Sequence, residues 1–289
     1  MAARPLYRDF HEQAQIDAAY DPVRPVADPA AARRHFAQRS AEARARLRCS
    51  LDVPFGPTRA ETLDIFAANR PGPAPVFVFL HGGYWRANTA ADFSCVAWGP
   101  QALGFATVVV NYALCPWVSI DEITRQCRAA VAWVLRNIAD YGGDPERVVL
   151  GGHSAGGHLG AMCLQTRWAE DYGLPQDPLR GALLLSGLYD IAPLRYSYLQ
   201  PLIQLDDGTI RRNSPAFSAR ACRTPLHLLW GGREQSEFER QSRVMHAAWL
   251  AEGNAGECAP LPGDDHFSLL HGLEQPDSEL CRRLLRLAE

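Results

Sequence analysis

No stretch of this sequence approaches the roughly 18 consecutive apolar residues of a membrane-spanning helix, which excludes a helical membrane protein. Excess charge of one sign is equally lacking. The 29 Lys and Arg stand against 32 Asp and Glu, a formal net charge of −3, which offers nothing to nucleic acid or an anionic membrane. Arg33, Arg34, Arg39, Arg44, Arg46 and Arg48 would suit a nucleic-acid arm, but they are interleaved with alanines and Glu42, the pattern of a solvated helix face. No C-x-x-C pair occurs among the eight cysteines at 49, 95, 115, 127, 163, 222, 258 and 281. Scattered so widely, they read as reduced, mostly buried small side chains of a cytoplasmic protein rather than a disulfide framework. H-E-x-x-H is missing, and His153 and His158 are five apart rather than four. Asp264-Asp265-His266 would need a distant partner to hold a metal, and the glycines at 151, 152, 156 and 157 lack the Lys and Ser/Thr of a phosphate loop. No cofactor and no metal are expected. Residues 1–10 contain no apolar core segment, so no secretory signal is expected.

What is present is an alternation of strands and helices in a chain 47% hydrophobic and 21% charged. Residues 1–50 are rich in Ala and Arg, broken by Pro22, Pro25 and Pro29, and predict two helical pieces over about 6–20 and 29–48. They form a helical arm or cover on a compact catalytic domain over 51–289. Within that domain Thr62–Phe66 alternates like an early strand. Val76–Leu80 and Ala106–Tyr112 are apolar runs suited to strands buried on both faces. A helix over about 120–139, strands at 147–151, 182–185 and 226–230, a helix over 236–252 and a short strand near 257–261 follow. The pattern predicts an α/β fold with a mostly parallel, doubly wound sheet and helices on both faces. Residues 187–222 read as a small lid.

The strongest single feature is Gly152-His153-Ser154-Ala155-Gly156, placed between an apolar strand and a helix of small residues. G-x-S-x-G at a strand-to-helix turn is the nucleophile elbow, which lifts the serine Oγ above the sheet. An activated serine needs a base, an acid to orient it, and an oxyanion hole. Chain order on such a fold is serine, acid, histidine. His266 lies in a polar turn after the last strand and is the predicted base, ahead of His271, which sits further into a helix. Glu234, the first carboxylate after strand 226–230, is the preferred acid, with Glu237 and then Asp190 as alternatives. His81-Gly82-Gly83-Tyr84-Trp85 follows strand 76–80, so Gly82 and Gly83, together with Ala155 after the serine, are the predicted oxyanion donors. His81 reads as an anchor of that loop. Tyr84, Trp85 and Trp117 are candidates for an apolar substrate wall, or for packing of the loop alone.

With these residues in hand, the chain resembles the α/β-hydrolase superfamily and its HGG-loop esterases. More narrowly it resembles the kynurenine formamidase (arylformamidase) family. The words that carry the likeness are His81–Trp85, Asn111–Pro116, Asp121–Ile123, Gly152–Leu159, Ser186–Asp190 and Glu237–Ser242, which together span most of 76–270. One departure is Glu234, where eukaryotic formamidases would carry Asp. The resemblance implies a serine hydrolase that cleaves N-formylkynurenine to kynurenine and formate, with no cofactor and a small-molecule substrate. A carboxylesterase of short-chain or aryl esters is the near alternative, and a non-catalytic ligand-binding protein on the same fold the remote one. A homodimer is the oligomeric expectation.

Overall fold

A computed structural model describes residues 4–289, so Met1–Ala3 of the N-terminal segment read above lie outside the described residues. One eight-stranded sheet organises the chain: β1 (Cys49–Pro54), β2 (Thr62–Phe66), β3 (Ala74–Leu80), β4 (Ala106–Val110), β5 (Gly143–His153), β6 (Gly181–Leu185), β7 (Leu226–Gly231) and β8 (Gly256–Leu261). The spatial order is β1-β2-β4-β3-β5-β6-β7-β8. From β4 to β8 all neighbours are parallel, while β1 and β2 form an antiparallel edge against β4.

The apolar runs explain the layering. All seven residues of β3 are buried. Its two-residue period sends Val76, Val78 and Leu80 into one core and Phe77 and Phe79 into the other. A strand with two apolar faces has to be covered twice. On the first face lie α4 (Ile120–Asn137), α5 (Ala155–Leu164) and α9 (Ser236–Ala251). The Ser119 side chain caps α4 by accepting from Glu122 N, and Asp121 and Glu122 in its first turn complement the helix dipole. On the second face lie α2 (Pro29–Arg46), the 3₁₀ turn Ala90–Ala97, α3 (Trp98–Ala102) and α10 (Glu279–Ala288). The remaining helices are short: α1 (Gln13–Ala19), α6 (Trp168–Tyr172), α7 (Gln200–Ile203) and α8 (Asp207–Arg212), the last two within the segment between β6 and β7.

Several boundaries differ from the sequence expectation. The first helical piece shrinks to Gln13–Ala19, preceded by an isolated Tyr7–Phe10 bridge. Helix α2 stops at Arg46 because Cys49 already pairs with Phe66 in the sheet. The arginine face of α2 is also less solvated than its pattern suggests. Arg39 Nε donates to Glu274 Oε2 at 2.8 Å, and Arg44 pairs with the buried Asp64. Among the described residues no helix is long and apolar enough to cross a membrane, and all eight cysteines are unpaired.

The parallel registers align the strand ends. Leu80 pairs with Val110 and Gly152, His153 with Leu185, Leu185 with Leu229, and Gly231 with Leu261. The residues immediately after β3, β5, β6, β7 and β8 therefore emerge along one edge. In open α/β sheets that carboxyl edge is where sites are built.

Candidate active site

Ser154 sits between β5 and α5 at φ 57°, ψ −120°, a conformation outside the allowed regions for an L-residue. Glycines make this turn feasible. A Cβ on Gly152 would stand 2.2 Å from Gly156 O, and one on Gly156 would stand 1.9 Å from Leu80 O. Neither position tolerates a side chain without movement of backbone. Ser154 N donates to Leu185 O at 2.8 Å, which ties the turn to β6. Ala155 is the first residue of α5, so its N–H has no intrahelical partner and is free for an anion at the helix start.

His266 and Glu234 meet above the sheet. His266 Nδ1 lies 2.8 Å from Glu234 Oε2, and both side chains are almost fully shielded from solvent. The carboxylate is itself held. Its Oε1 accepts from Gly231 N and from Ser186 Oγ, each at 2.5 Å. Ser186, at φ 48° just after β6, was not singled out by sequence reasoning. It stands in the Ser186–Asp190 word, but a serine without a motif of its own gives no signal of a contact across 48 positions. Against the other side of the imidazole lie Phe238, with ring centroids 4.7 Å apart, and His153, at 4.5 Å. Burial, and next the neighbouring His266 ring, pushes the His153 pKa well below 6.5, so it stays neutral beside His266.

The loop after β3 closes on the serine. A Cβ on Gly82 would lie 3.0 Å from Ser154 Cβ and 3.0 Å from His153 O, while one on Gly83, at φ 123°, would lie 2.3 Å from Ala87 O. Tyr84 and Trp85 also adopt positive φ, 50° and 58°, so four hydrogen bonds that hold this segment matter. Tyr112 OH donates to His81 O at 2.6 Å, Cys115 N to Trp85 O at 2.7 Å, Trp85 Nε1 to His158 Nδ1 at 3.1 Å, and Asn88 Nδ2 to Gly82 O at 3.2 Å. His81 is fully buried, its ring stacked on Tyr112 with centroids 4.1 Å apart, and burial pushes its pKa down to about 4.

The other candidate residues have separate places. Glu237, in the first turn of α9, accepts from Tyr20 OH at 2.5 Å and pairs with Arg240 at 2.8 Å. Asp190 accepts from Tyr7 OH. Neither carboxylate bonds His266 among the described residues. Both instead fasten the N-terminal arm to the sheet edge, and Tyr84 OH completes the tie by donating to Tyr20 O. His271 belongs to the 3₁₀ segment Ser268–Glu274 and lies against His35 of α2, with centroids 4.2 Å apart and the rings tilted by 46°. Trp85 is fully buried and committed to His158, Tyr84 is nearly so, and Trp117 stands 89% exposed. Tyr20→Phe tests the arm's attachment. It strips a donor from the buried Glu237 carboxylate and is expected to cost about 1–3 kcal/mol in urea unfolding. An unchanged midpoint would show that Arg240 alone satisfies the carboxylate.

Comparison with known proteins follows the same lines. The family model BD-FAE matches residues 63–172, the stretch from β2 through α6. Kynurenine formamidase of Salmo salar is 29% identical over 246 residues, covering 82% of this chain and 81% of that protein. Esterase LipQ of Mycobacterium tuberculosis is 29% identical over 238 residues, covering 74% of this chain and 56% of its own length. Among solved structures, a candidate thioesterase from Silicibacter superposes with a TM-score of 0.84 at 28% identity, covering 94% of this chain and 99% of that one.

Proposed function

We propose, from the premise that this chain is a hydrolytic enzyme of the α/β-hydrolase superfamily, that it is a serine hydrolase of small aryl formamides, with N-formylkynurenine as substrate. The observation that carries the catalytic part is the His266–Glu234 contact at 2.8 Å beside the strained Ser154 elbow. Ser154 is the nucleophile, His266 the general base and then acid, and Glu234 the carboxylate that orients the imidazole and stabilises its cation. Ser186 and Gly231 position Glu234 by occupying Oε1, which leaves Oε2 for His266.

Ser154 Oγ attacks the formyl carbon as His266 takes its proton. The alkoxide forms beside Gly82, Gly83 and Ala155, whose N–H groups stabilise it, each donor contributing about 2.7–4 kcal/mol. The arylamine leaves with the proton from His266, because an anilide is too poor a leaving group to depart unprotonated. Water then hydrolyses the formyl ester by the same base. Residues 4–50 of the N-terminal arm serve as a helical cover whose Tyr7, Tyr20 and Asp17 contacts close the carboxyl edge. Tyr84 and Trp85 support the oxyanion loop from behind, and the exposed Trp117 is available at the surface. The substrate half of the reading is supported by formamidase relatives that match most of this chain.

A carboxylesterase is the second reading, supported by the likeness to esterase LipQ. Every catalytic residue is shared, so only substrate preference separates the two. Turnover of N-formylkynurenine beside p-nitrophenyl acetate and butyrate decides between them. The formamidase reading predicts a kcat/KM at least about 100-fold higher for N-formylkynurenine, a transition-state difference of about 2.7 kcal/mol. Turnover confined to the esters would overturn it and leave an esterase.

A further inference from the structure

Between α2 and the carboxyl edge of the sheet lies a cleft of about 360 Å³, within the roughly 300–1,000 Å³ range of small-molecule sites. Its walls come from the N-terminal arm (Arg33, Phe36), from the turn after the oxyanion loop (Asn88, Asp92, Phe93) and from Phe267. The cleft abuts the site already described at three points. Asn88 Nδ2 donates to Gly82 O at 3.2 Å. Phe267 follows His266 in the chain, their rings 5.4 Å apart. Phe93 lies parallel to the ring of His81 at 5.9 Å.

Inside, the cleft is aromatic. Phe36 and Phe93 are both buried, with centroids 5.9 Å apart. At its rim stand two opposite charges that the fold leaves open. Arg33 is exposed and has no ionic partner among the described residues, the carboxylate of the preceding turn, Asp28, being paired with Arg34 at 3.8 Å. Asp92 is exposed as well. Its Oδ2 accepts from Thr89 N at 2.8 Å and Thr89 Oγ at 2.9 Å, which leaves Oδ1 free.

An apolar aromatic floor with one cation and one anion at its lip matches one chemical class: an aromatic amino acid in its zwitterionic form. We infer that this cleft binds the part of the substrate that does not react, with the aryl ring on Phe36, Phe93 and Phe267, the α-carboxylate on Arg33 and the α-ammonium on Asp92. The inference rests on the hydrolase reading above and adds that α2 of the arm forms part of the binding site. Charge-assisted hydrogen bonds of this kind, at a half-open cleft, give discrimination of about 10- to 100-fold against a ligand that lacks the charge.

The test compares N-formylkynurenine with 2-formamidoacetophenone, which carries the same ring, ketone and formamide without the amino acid. The ratio of their kcat/KM values is measured in wild type, Arg33→Gln, Arg33→Lys and Asp92→Asn. Arg33→Gln is expected to lower the ratio about 10- to 100-fold, through KM, with partial recovery in Arg33→Lys. Asp92→Asn is expected to lower it about 10-fold. A ratio that stays constant, whether both rates hold or both fall together, overturns the proposal. The same variants are read with O-acetyltyrosine over phenyl acetate, so a chain that cleaves no formamide still reports on the cleft. In a chain without formamide turnover, which itself discards the formamidase reading, an ester ratio that falls keeps the zwitterion site; one that does not fall discards the site.

Discussion

Ser154→Ala is expected to lower kcat about 10⁴- to 10⁶-fold while leaving the thermal midpoint close to wild type. The magnitude follows from what the serine does. Removing the nucleophile of such a triad costs about as much as removing the whole triad, and only the oxyanion donors and binding remain to help water. The folded state loses little, because the Ser154 backbone bonds to Leu185 O and from His158 N persist with alanine in place. Glu234→Gln gives a second value from the same geometry. Its carboxylate accepts from three groups, Gly231 N, Ser186 Oγ and His266 Nδ1. A glutamine must turn its NH₂ toward one side, so either His266 Nδ1–H or Gly231 N–H loses its acceptor. A loss of about 10³- to 10⁴-fold is expected, measured as kcat on N-formylkynurenine and p-nitrophenyl acetate. Retention of more than a few per cent of wild-type kcat by Ser154→Ala would remove the serine from the mechanism.

The contrast between Glu234 and Glu237 shows where sequence reading stops. Both follow β7 within two helical turns; being the first carboxylate after the strand favours Glu234, but the sequence does not say what holds either side chain. The backbone decides. Glu234 lies in a tight turn, its N–H donating back to Gly231 O at 3.0 Å, which folds its carboxylate against Gly231 N. Glu237 lies in the first turn of α9, which carries it toward Tyr20 of the arm. That partner is 217 positions away, and no periodicity encodes such a distance.

Local signals were legible in proportion to how much of their cause is local. The strands buried on both faces, β3, β4 and β7, announce themselves as apolar runs, and the elbow as glycines around a serine. The edge strand β1 does not. It has no buried residue and four exposed ones, carries Asp52 at φ 54° and ends in Pro54, with a break in register between Ser50 and Val53. Helix α10 lies outside that reading although its cause is local: Leu280, Cys281, Leu284 and Leu287 are buried at i, i+1, i+4 and i+7 with Arg282 and Arg286 on the outer face, the spacing of an amphipathic helix. The aromatic residues of the HGG loop read equally well as substrate wall or as packing. Trp85 is fully buried and bonded to His158, a distinction only tertiary structure can make.

That Trp85–His158 bond leads to the second large effect, a loss of stability as the pH falls from about 6.5 toward 4. His81 and His158 are fully buried, and burial pushes the pKa of each down to about 4; burial likewise holds His153 well below 6.5. Between pH 6.5 and 4 the unfolded chain therefore takes up protons that the folded chain refuses. Stability is complete above about 6.5 and drains as acid is added, each of His81 and His158 contributing on the order of 3 kcal/mol by pH 4. His227 and His271, also lowered by burial, act in the same direction. The lowered carboxylates Glu61, Asp121 and Glu122 lose their stabilisation only at still lower pH, so the upper window belongs to the histidines. Against a typical total of about 5–15 kcal/mol, the roughly 6 kcal/mol lost from these two together removes a large share of the stability by pH 4. His158 gives the effect a functional edge. Its Nε2 donates to Asn213 O at 2.8 Å, so Nδ1 must be the bare acceptor for Trp85 Nε1. Protonation at Nδ1 would set two donors against each other and release the oxyanion loop from α5. Urea midpoints measured from pH 7.5 to 4.5 are expected to fall throughout this window, and His158→Gln is expected to flatten the slope by about one proton. A midpoint that holds steady down to pH 5 would mean that these imidazoles reach water more readily than their burial implies.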